Sequence, residues 1–239
     1  MLRIVIPIFN EADNLSELLK ELSKWVEQGD KIIFVDDGST DATQAWFKNN
    51  TSDQVMCLRL EKNAGPGAAF DCAFGYLLKH EVNKAIMVLT IEGDNTSNLD
   101  ELPLMKQAIA DGYDLALASV YMQGGKFEKT SLLRLLISQI ANFMARKILG
   151  LRFHTLTSFY RIYTMQLLQK IDEHYPHFCE QKGFICKVEL LCKSMACGAK
   201  VKEIPTILRS SRRKGNSKMR ILPTSLAYLR FMINWKIKN

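Results

Sequence analysis

The chain has no long apolar run and no glycine fingerprint of a dinucleotide-binding fold, and each absence excludes a class of function. The C-terminal apolar stretch, 226–235, is ten residues long and is interrupted by Arg230, whereas a helix that crosses a bilayer needs about 20 apolar residues. The first apolar strand leads into the segment 7–11, PIFNE, and not into Gly-x-Gly-x-x-Gly. The sequence therefore favours neither a transmembrane protein nor a nicotinamide-dependent enzyme.

Turn-forming residues and cysteines are also few or unpatterned. The 239 residues include 13 Gly and 6 Pro, without a Gly/Ser-rich linker or a repeat, so we expect one domain with one sizeable core. None of the six cysteines forms a Cys-x-x-Cys pair, and the first apolar run, 4–8, is too short for the core of a secretory signal. We therefore expect reduced thiols and a cytoplasmic location.

Positive charge is concentrated at the C-terminus. Residues 200–239 hold eleven Lys or Arg against the single acid Glu203, a net charge of +10, so residues 1–199 carry −3 of the total of +7. Such a segment suits phosphate groups, an anionic membrane surface or nucleic acid. Phe231 and Trp235, followed by Lys236 and Lys238, are typical of a helix lying in a membrane interface. The alternative is a helix packed on the core or on a membrane-protein partner.

Hydrophobic periodicity indicates an α/β fold. Apolar strand-like runs near 3–8, 31–35, 55–60, 85–90 and 114–119 alternate with segments of helical spacing, among them 133–148. This alternation predicts a single Rossmann-like domain with a mostly parallel sheet. We place this domain at residues 1–220, followed by an amphipathic basic extension at 221–239.

Two adjacent carboxylates, Asp36 and Asp37, follow the second predicted strand. Open α/β sheets bind ligands beyond the carboxyl ends of their strands, where an acidic side chain accepts hydrogen bonds from a ribose or a base. Gly38 and Ser39 allow the chain to turn tightly there. A solvated Asp pair in an ordinary turn remains the alternative for this motif alone.

Six further motifs accompany this one in a fixed order. The series of seven reads IVIPIFNE at 4–11, KIIFVDDGSTD at 31–41, NAGPGAA at 63–69, EGD at 92–94, LTSFYRIY at 156–163, GFICKVE at 183–189 and RRKGNSK at 212–218. In order and spacing, the chain resembles family 2 glycosyltransferases of the GT-A fold, in the dolichol- or polyprenyl-phosphate mannosyltransferase branch. The resemblance implies a metal-dependent, inverting enzyme that moves a sugar from a GDP- or UDP-linked donor to a polyprenyl phosphate.

The resemblance also implies roles for individual residues. An Mg²⁺ or Mn²⁺ ion would be held by Glu92 and Asp94, where Glu92 replaces the first Asp of the family's Asp-x-Asp. Arg134 would lie near the acceptor, and Glu189 would either act as a base towards a sugar hydroxyl or order the site. The nucleotide-sugar site would comprise Pro7, Phe9, Glu11, Val35 and Asp37 at the base and ribose, Gly65, Gly67 and Gly93 in close-packed loops, and Arg212, Ser217 and Lys218 at the diphosphate.

Two departures from the family leave the acceptor open. Val120 stands where the relatives have Arg, and the Gly usual between the matches to Ser158 and Phe159 is missing. The alternative acceptor is therefore a glycan or glycolipid hydroxyl in envelope polysaccharide assembly. For either acceptor we expect peripheral attachment to the cytoplasmic face of a membrane or to a membrane-protein subunit. A non-catalytic nucleic-acid-binding module is a distant alternative, since the aromatic residues of the basic segment are not interleaved with its cations, and we expect no nucleic-acid partner.

Overall fold

The computed structural model describes residues 1–129, 132–214 and 221–238, and these contain nine strands and eight α-helices. The side chains at 132–134, 136, 137, 141, 221–226 and 238 also lie outside this description. The strands are β1 Leu2–Ile8, β2 Lys31–Asp36, β3 Val55–Arg59, β4 Met87–Thr90, β5 Leu115–Ser119, β6 Lys126–Glu128, β7 Arg161–Thr164, β8 Val201–Pro205 and β9 Ile207–Arg209. The helices are α1 Ala12–Leu22, α2 Thr43–Asn50, α3 Pro66–His80, α4 Leu102–Ala110, α5 Leu132–Leu149, α6 Met165–His174, α7 Cys186–Ala196 and α8 Ile221–Lys238.

Seven of the strands form one sheet in the order β3-β2-β1-β4-β7-β5-β8. Strands β1, β2, β3 and β4 are parallel neighbours, whereas β7 runs antiparallel to both β4 and β5. The prediction of a mostly parallel α/β domain is confirmed, and the five predicted strand runs correspond to β1 to β5. Strand β7 was not predicted, because it has only four residues and begins with a charged side chain, Arg161.

Side-chain alternation on the central strand divides the core into two layers. On β1, Ile4 and Ile6 point to one face of the sheet and Val5 points to the other. Helices α1 and α4 cover the first face, and α3, α6 and α7 cover the second, where Phe70 and Phe74 are fully buried. Each such side chain contributes about 1.5–3 kcal/mol on burial, so a register shift of β1 would be costly.

A small second sheet brings the basic segment back to the main sheet. Strand β6 follows the turn at Gly124 and Gly125, and it pairs in parallel with β9. The N–H of Arg209 donates to the carbonyl oxygen of Thr96 at 2.9 Å, and its guanidinium bonds Asp100 at 2.7 Å. Residues 207–214 therefore run beside the loop that follows β4.

The C-terminal helix α8 packs on the domain along one face. Met232 is 4% exposed within the core, and the Tyr228 hydroxyl donates to the carbonyl oxygen of Phe184 at 2.6 Å. Ile233 and Ile237 on the same helix are exposed. Among the described residues, no helix combines the length and apolar character that a bilayer span requires. The division of the chain at residue 220 stays a prediction.

Two glycines of α3 provide a test of close packing. A Cβ atom at Gly67 would overlap the carbonyl oxygen of Gln181, whereas a Cβ atom at Gly75 would meet no atom within 4 Å. We expect Gly67→Ala to lower the free energy of unfolding by about 1–3 kcal/mol, because backbone must shift. Gly75→Ala, the matched control, should raise it by about 0.5–1 kcal/mol. Chemical denaturation measures both, and equal effects would contradict the close approach at Gly67.

Candidate active site

The carboxyl ends of β1, β2 and β4 lie side by side and carry most of the predicted site residues. In register, Ile8 of β1 faces Asp36 of β2, and Val5 of β1 faces Thr90 of β4. A Cβ atom at Gly93 would lie 2.6 Å from Cγ2 of Ile8, so only glycine lets the loop after β4 approach β1 this closely. We call residues 7–11, 36–37, 63–67 and 92–97 the site edge.

The Asp pair orders two loops of the site edge. Asp37 is 3% exposed, and its two carboxylate oxygens accept the N–H groups of Ala64 and Gly65, each at 2.7 Å. Burial raises the pKa of Asp37 above its ordinary value, and the two N–H donors oppose this effect. Asp36 pairs with Arg59 at 2.7 Å. The solvated-pair alternative is therefore wrong, because both aspartates are buried and engaged.

The residues predicted around the base and ribose lie near the end of β1. Pro7, Phe9 and Glu11 are half-buried, and Glu11 accepts a hydrogen bond from the Asn14 side-chain amide at 2.6 Å. Val35 has no exposed surface and packs in the core. It is therefore a support beneath the site edge, and the nucleotide roles of these residues stay predictions.

Glu92 lies at the start of the acidic loop in a largely desolvated position. Its Oε2 atom accepts from the Ser97 hydroxyl at 3.1 Å, and its Oε1 atom lies 4.0 Å from Nζ of Lys187. Desolvation raises the pKa of Glu92, and the Lys187 ammonium counteracts that shift. The pKa of Lys187 is in turn lowered by its own burial. The two groups thus form a spaced, partly desolvated ion pair.

Asp94 is bound by groups on both sides of its carboxylate. Its Oδ1 atom accepts from the Thr96 hydroxyl at 2.7 Å and from the Thr96 N–H at 3.2 Å. Its Oδ2 atom accepts from Nε of Arg213 at 2.7 Å and also from Nη2 of the same guanidinium. The Arg213 guanidinium is thus bonded to one carboxylate oxygen of Asp94, a predicted metal ligand.

Asn14 of α1 holds the segment that carries Arg213. Its side-chain amide exchanges two hydrogen bonds with the backbone of Lys214, as acceptor at 2.9 Å and as donor at 3.1 Å. Arg212 points elsewhere, with Nη1 at 3.6 Å from Glu21. Of the other predicted diphosphate ligands, Ser217 and Lys218 lie outside the described residues.

The chemistry of the acidic loop fits a divalent cation that is completed by substrate. Glu92 and Asp94 offer oxygen ligands from one loop, and the described residues contain no group of three His, Cys, Asp or Glu that would hold an ion alone. Mg²⁺ is commonly bound by one or two carboxylates together with substrate phosphates. An ion at this loop would have to displace Arg213 from Asp94 or share that carboxylate with it.

Glu189 is closed to solvent and orders a neighbouring turn. It is 2% exposed, accepts the N–H groups of Glu180 and Gln181 at 2.8 Å each, and pairs with Lys193 at 2.8 Å. A general base must reach the proton that it removes. The geometry therefore favours the ordering role that the sequence left open beside the catalytic one.

Ser138 and Asn142, which follow Arg134 at intervals of four residues on α5, also make internal contacts. Ser138 accepts from the Tyr121 hydroxyl at 2.6 Å, and the Asn142 side chain accepts the N–H of Leu156 at 3.1 Å. Val120 follows β5 directly. The Arg134 side chain lies outside the described residues, so its role near the acceptor stays a prediction.

Three residues of this arrangement were not predicted from the sequence. Lys187 and Arg213 lie inside quoted motifs, but adjacent residues of those motifs carried the resemblance. Asn14 lies in a helix and matches no motif. For Lys187 and Arg213, the available signal was a cation within a recognised motif. Nothing in the sequence pairs Asn14 with Lys214.

Comparisons with known proteins agree with this geometry. The family model described as "Glycosyl transferase family 2" matches residues 3–172. Polyprenol monophosphomannose synthase of Mycolicibacterium smegmatis is 31% identical over 219 residues, which is 90% of this chain and 80% of that protein. Undecaprenyl-phosphate 4-deoxy-4-formamido-L-arabinose transferase of Edwardsiella ictaluri is 30% identical over 118 residues, 47% of this chain and 34% of that one.

Solved structures share the fold at low identity. Glucosyl-3-phosphoglycerate synthase from Mycobacterium tuberculosis, in complex with Mn²⁺, UDP and glucosyl-3-phosphoglycerate, superposes with a TM-score of 0.70 at 15% identity. The match covers 98% of this chain and 79% of that one. Staphylococcus aureus TarS, residues 1–349, gives a TM-score of 0.60 at 21% identity over 100% of this chain and 65% of that one. The predicted GT-A fold is confirmed.

The Arg213–Asp94 pair predicts how the donor-free protein binds metal. Arg213→Ala should raise the affinity for Mn²⁺ by roughly tenfold, because it frees Oδ2 of Asp94 and removes a nearby positive charge. Arg212→Ala is the matched control, since it removes the adjacent cation beside Glu21. Electron paramagnetic resonance of free Mn²⁺ measures both variants without nucleotide. An equal change in both would mean that Arg213 does not compete with the metal.

Proposed function

The chain belongs to glycosyl transferase family 2, and from that premise we propose that it moves a sugar from a nucleotide diphosphate sugar to a polyprenyl phosphate, with inversion and with a divalent cation. That it is a glycosyltransferase follows from the family. The observation that carries the finer proposal is the loop Glu92-Gly93-Asp94, which lies against the end of β1 with two carboxylates and two cations, Lys187 and Arg213.

The donor would bind along the site edge. Pro7, Phe9 and Glu11 would frame the base and ribose, and Gly65 and Gly67, at the start of α3, would keep the loop and the helix close to the nucleotide. Gly65 has φ of +88° and Gly67 packs against residue 181, so larger side chains have no room there. Both UDP- and GDP-linked sugars belong in the assay of donor binding.

The diphosphate leaving group needs positive charge as the bond to the sugar breaks. Arg213, already at Asp94, is the described cation nearest to the acidic loop on that side, and Arg212, Ser217 and Lys218 are the cations and hydroxyl that the resemblance assigns. Glu92 and Asp94 would hold Mg²⁺ or Mn²⁺, which when bound neutralises the leaving diphosphate. The complexes of the mycobacterial synthase with Mn²⁺ or Mg²⁺ and UDP support a cation of this kind.

The burial of Glu189 supports a phosphate group as the acceptor. A polyprenyl phosphate oxygen is already anionic near neutral pH, so its attack requires alignment and no strong base. A sugar hydroxyl would need a base, whereas the two carboxylate oxygens of Glu189 accept hydrogen bonds from backbone N–H groups and pair with Lys193. The named substrates of the two polyprenyl-phosphate relatives agree with this acceptor. Val120 is the observation that favours a glycan or glycolipid hydroxyl as the second candidate.

Exposed apolar side chains on two packed helices support attachment to a membrane. Helices α5 and α8 contact each other. Together they carry five of the exposed large hydrophobic residues, which are Ile140, Phe143, Met144, Ile233 and Ile237. Arg146, Lys147 and Lys236 provide adjacent positive charge for anionic lipid. We therefore expect a peripheral enzyme at the cytoplasmic face, where a polyprenyl phosphate would be presented.

The function is tested by transfer itself. Labelled sugar from a panel of UDP- and GDP-sugars should move into an organic phase with a short prenyl phosphate, in the presence of Mn²⁺. Asp94→Asn should abolish this transfer while Tm stays close to that of wild type, because its hydrogen bonds with Thr96 can remain. Glu92→Ala should be less severe. Transfer that persists in Asp94→Asn, or in chelator, would remove the metal from the proposal.

The membrane surface is tested by vesicle sedimentation. Phe143→Asp combined with Ile237→Asp should strongly reduce binding to phosphatidylglycerol vesicles at low salt, because each change puts a charge on an apolar surface. Leu104→Asp is the matched control, since Leu104 is 58% exposed on α4, which covers the other layer of the core. Equal loss in all variants, or no vesicle binding by wild type, would leave a partner subunit as the better explanation.

A further inference from the structure

Lys187 lies beside the acidic loop in a position that its helix alone does not explain. It is the second residue of α7, and its side chain is 11% exposed. Its ammonium lies 4.1 Å from the ring centroid of Phe159 and 5.1 Å from that of Phe184. The aromatic faces favour a cation there and fix its position. The side chain thus projects a charge between two rings towards Glu92.

The ammonium of Lys187 has no direct hydrogen-bond acceptor within the part of the chain that the structure describes. Its ion-pair partner, Oε1 of Glu92, is 4.0 Å away, which is too far for a hydrogen bond. Burying an ammonium without an acceptor costs free energy. The Lys187 side chain is 11% exposed, so it is largely but not fully enclosed. A donor with spare capacity therefore lies beside Glu92, next to the site edge.

Positive charge exceeds negative charge around this point. Arg161 is 1% exposed and donates to two neutral groups, the carbonyl oxygen of Leu156 and the hydroxyl of Tyr163. Its charge acts on Lys187, and Glu92 is the carboxylate that acts on Lys187 most strongly. Since Asp94 is bonded to Arg213, Glu92 is left as the partner of Lys187, while the hydrogen bonds described for Arg161 go to neutral groups alone. Such a surplus suits an anionic ligand.

We propose that Lys187 is a substrate-binding residue whose ammonium donates directly to an anionic phosphate oxygen. The ligand class is a phosphate ester, either the diphosphate of the donor or the phosphate of the acceptor. The inference rests on the proposed function. It gives a role to Lys187, to which the resemblance assigned none. Lys187 would then hold the phosphate on the Glu92 side, opposite Arg213 on the Asp94 side.

The test compares binding in Lys187→Met, Lys187→Arg and Lys187→Gln with wild type, by calorimetry on the full chain. Ligands are UDP, GDP, a short-chain prenyl phosphate, and the nucleosides uridine and guanosine as phosphate-free references. Each is measured with Mn²⁺ and with chelator. Lys202→Met is the matched control, because Lys202 also lies over an aromatic ring, Tyr113, at 5.6 Å, but on β8.

Lys187→Met should bind one phosphate ligand roughly 10- to 100-fold more weakly, the effect of losing a charge-assisted hydrogen bond. Lys187→Arg should recover part of the loss and Lys187→Gln should not. Weaker nucleoside diphosphate binding identifies the donor as the source, and weaker prenyl phosphate binding identifies the acceptor. Nucleoside affinity should stay unchanged, which a merely structural role would not predict.

Unchanged affinity for both phosphate ligands in Lys187→Met overturns the inference, as does an equal loss for nucleosides and diphosphates. If Lys187→Met has a lowered Tm, the Arg and Gln variants, compared at equal folded fraction, decide in its place. Wild-type protein that binds no nucleoside diphosphate would instead overturn the proposed function. The two failures are thereby distinguished.

Discussion

Strand β1 is hydrogen-bonded to a parallel strand on each side, and this double pairing determines where the loops of the site edge lie. Because β2 and β4 are its neighbours, the loops that follow all three strands end at the same edge of the sheet. Gly93 lets the loop after β4 approach β1 so closely that a larger residue at position 93 would overlap Ile8. The alternation of Ile4, Val5 and Ile6 between two core layers then prevents a one-residue slip, which would expose one layer and bury the other incorrectly.

The charges at this edge are arranged so that neither acidic residue is left alone. A desolvated carboxylate without a partner is costly, whereas a paired one roughly balances its own desolvation. Asp94 has Arg213, and Glu92 has Lys187 at a longer distance. These pairs add little net stability. Their consequence is a loop whose two carboxylates are both partnered by protein cations. On the proposed function, those cations would give way to a metal ion and phosphate oxygens.

The residues that the sequence predicted well are those whose environment is local. Strands β1 and β2 are built on the apolar runs 4–6 and 32–35, and the helical spacing at 133–148 corresponds to α5. Strand β7 was missed because the burial of Arg161 depends on Leu156 and Tyr163, and periodicity does not record such partners. Hydrogen bonds between segments far apart in the sequence, such as that between Asn14 and Lys214, were not predicted for the same reason.

Adjacent residues were harder still to separate. Arg212 and Arg213 are chemically identical, and only the turn at 210–212 and the Asn14–Lys214 pair decide which one reaches Asp94. For the C-terminal segment, the sequence left lipid contact and core packing as alternatives, and α8 has a face for each. Its buried face ends in the Tyr228 hydroxyl on the carbonyl of Phe184, whose ring lies against Lys187. The buried face of α8 therefore joins the C-terminal segment to the side chains around Lys187, and its exposed face is the one that would meet the lipid surface of the proposed function.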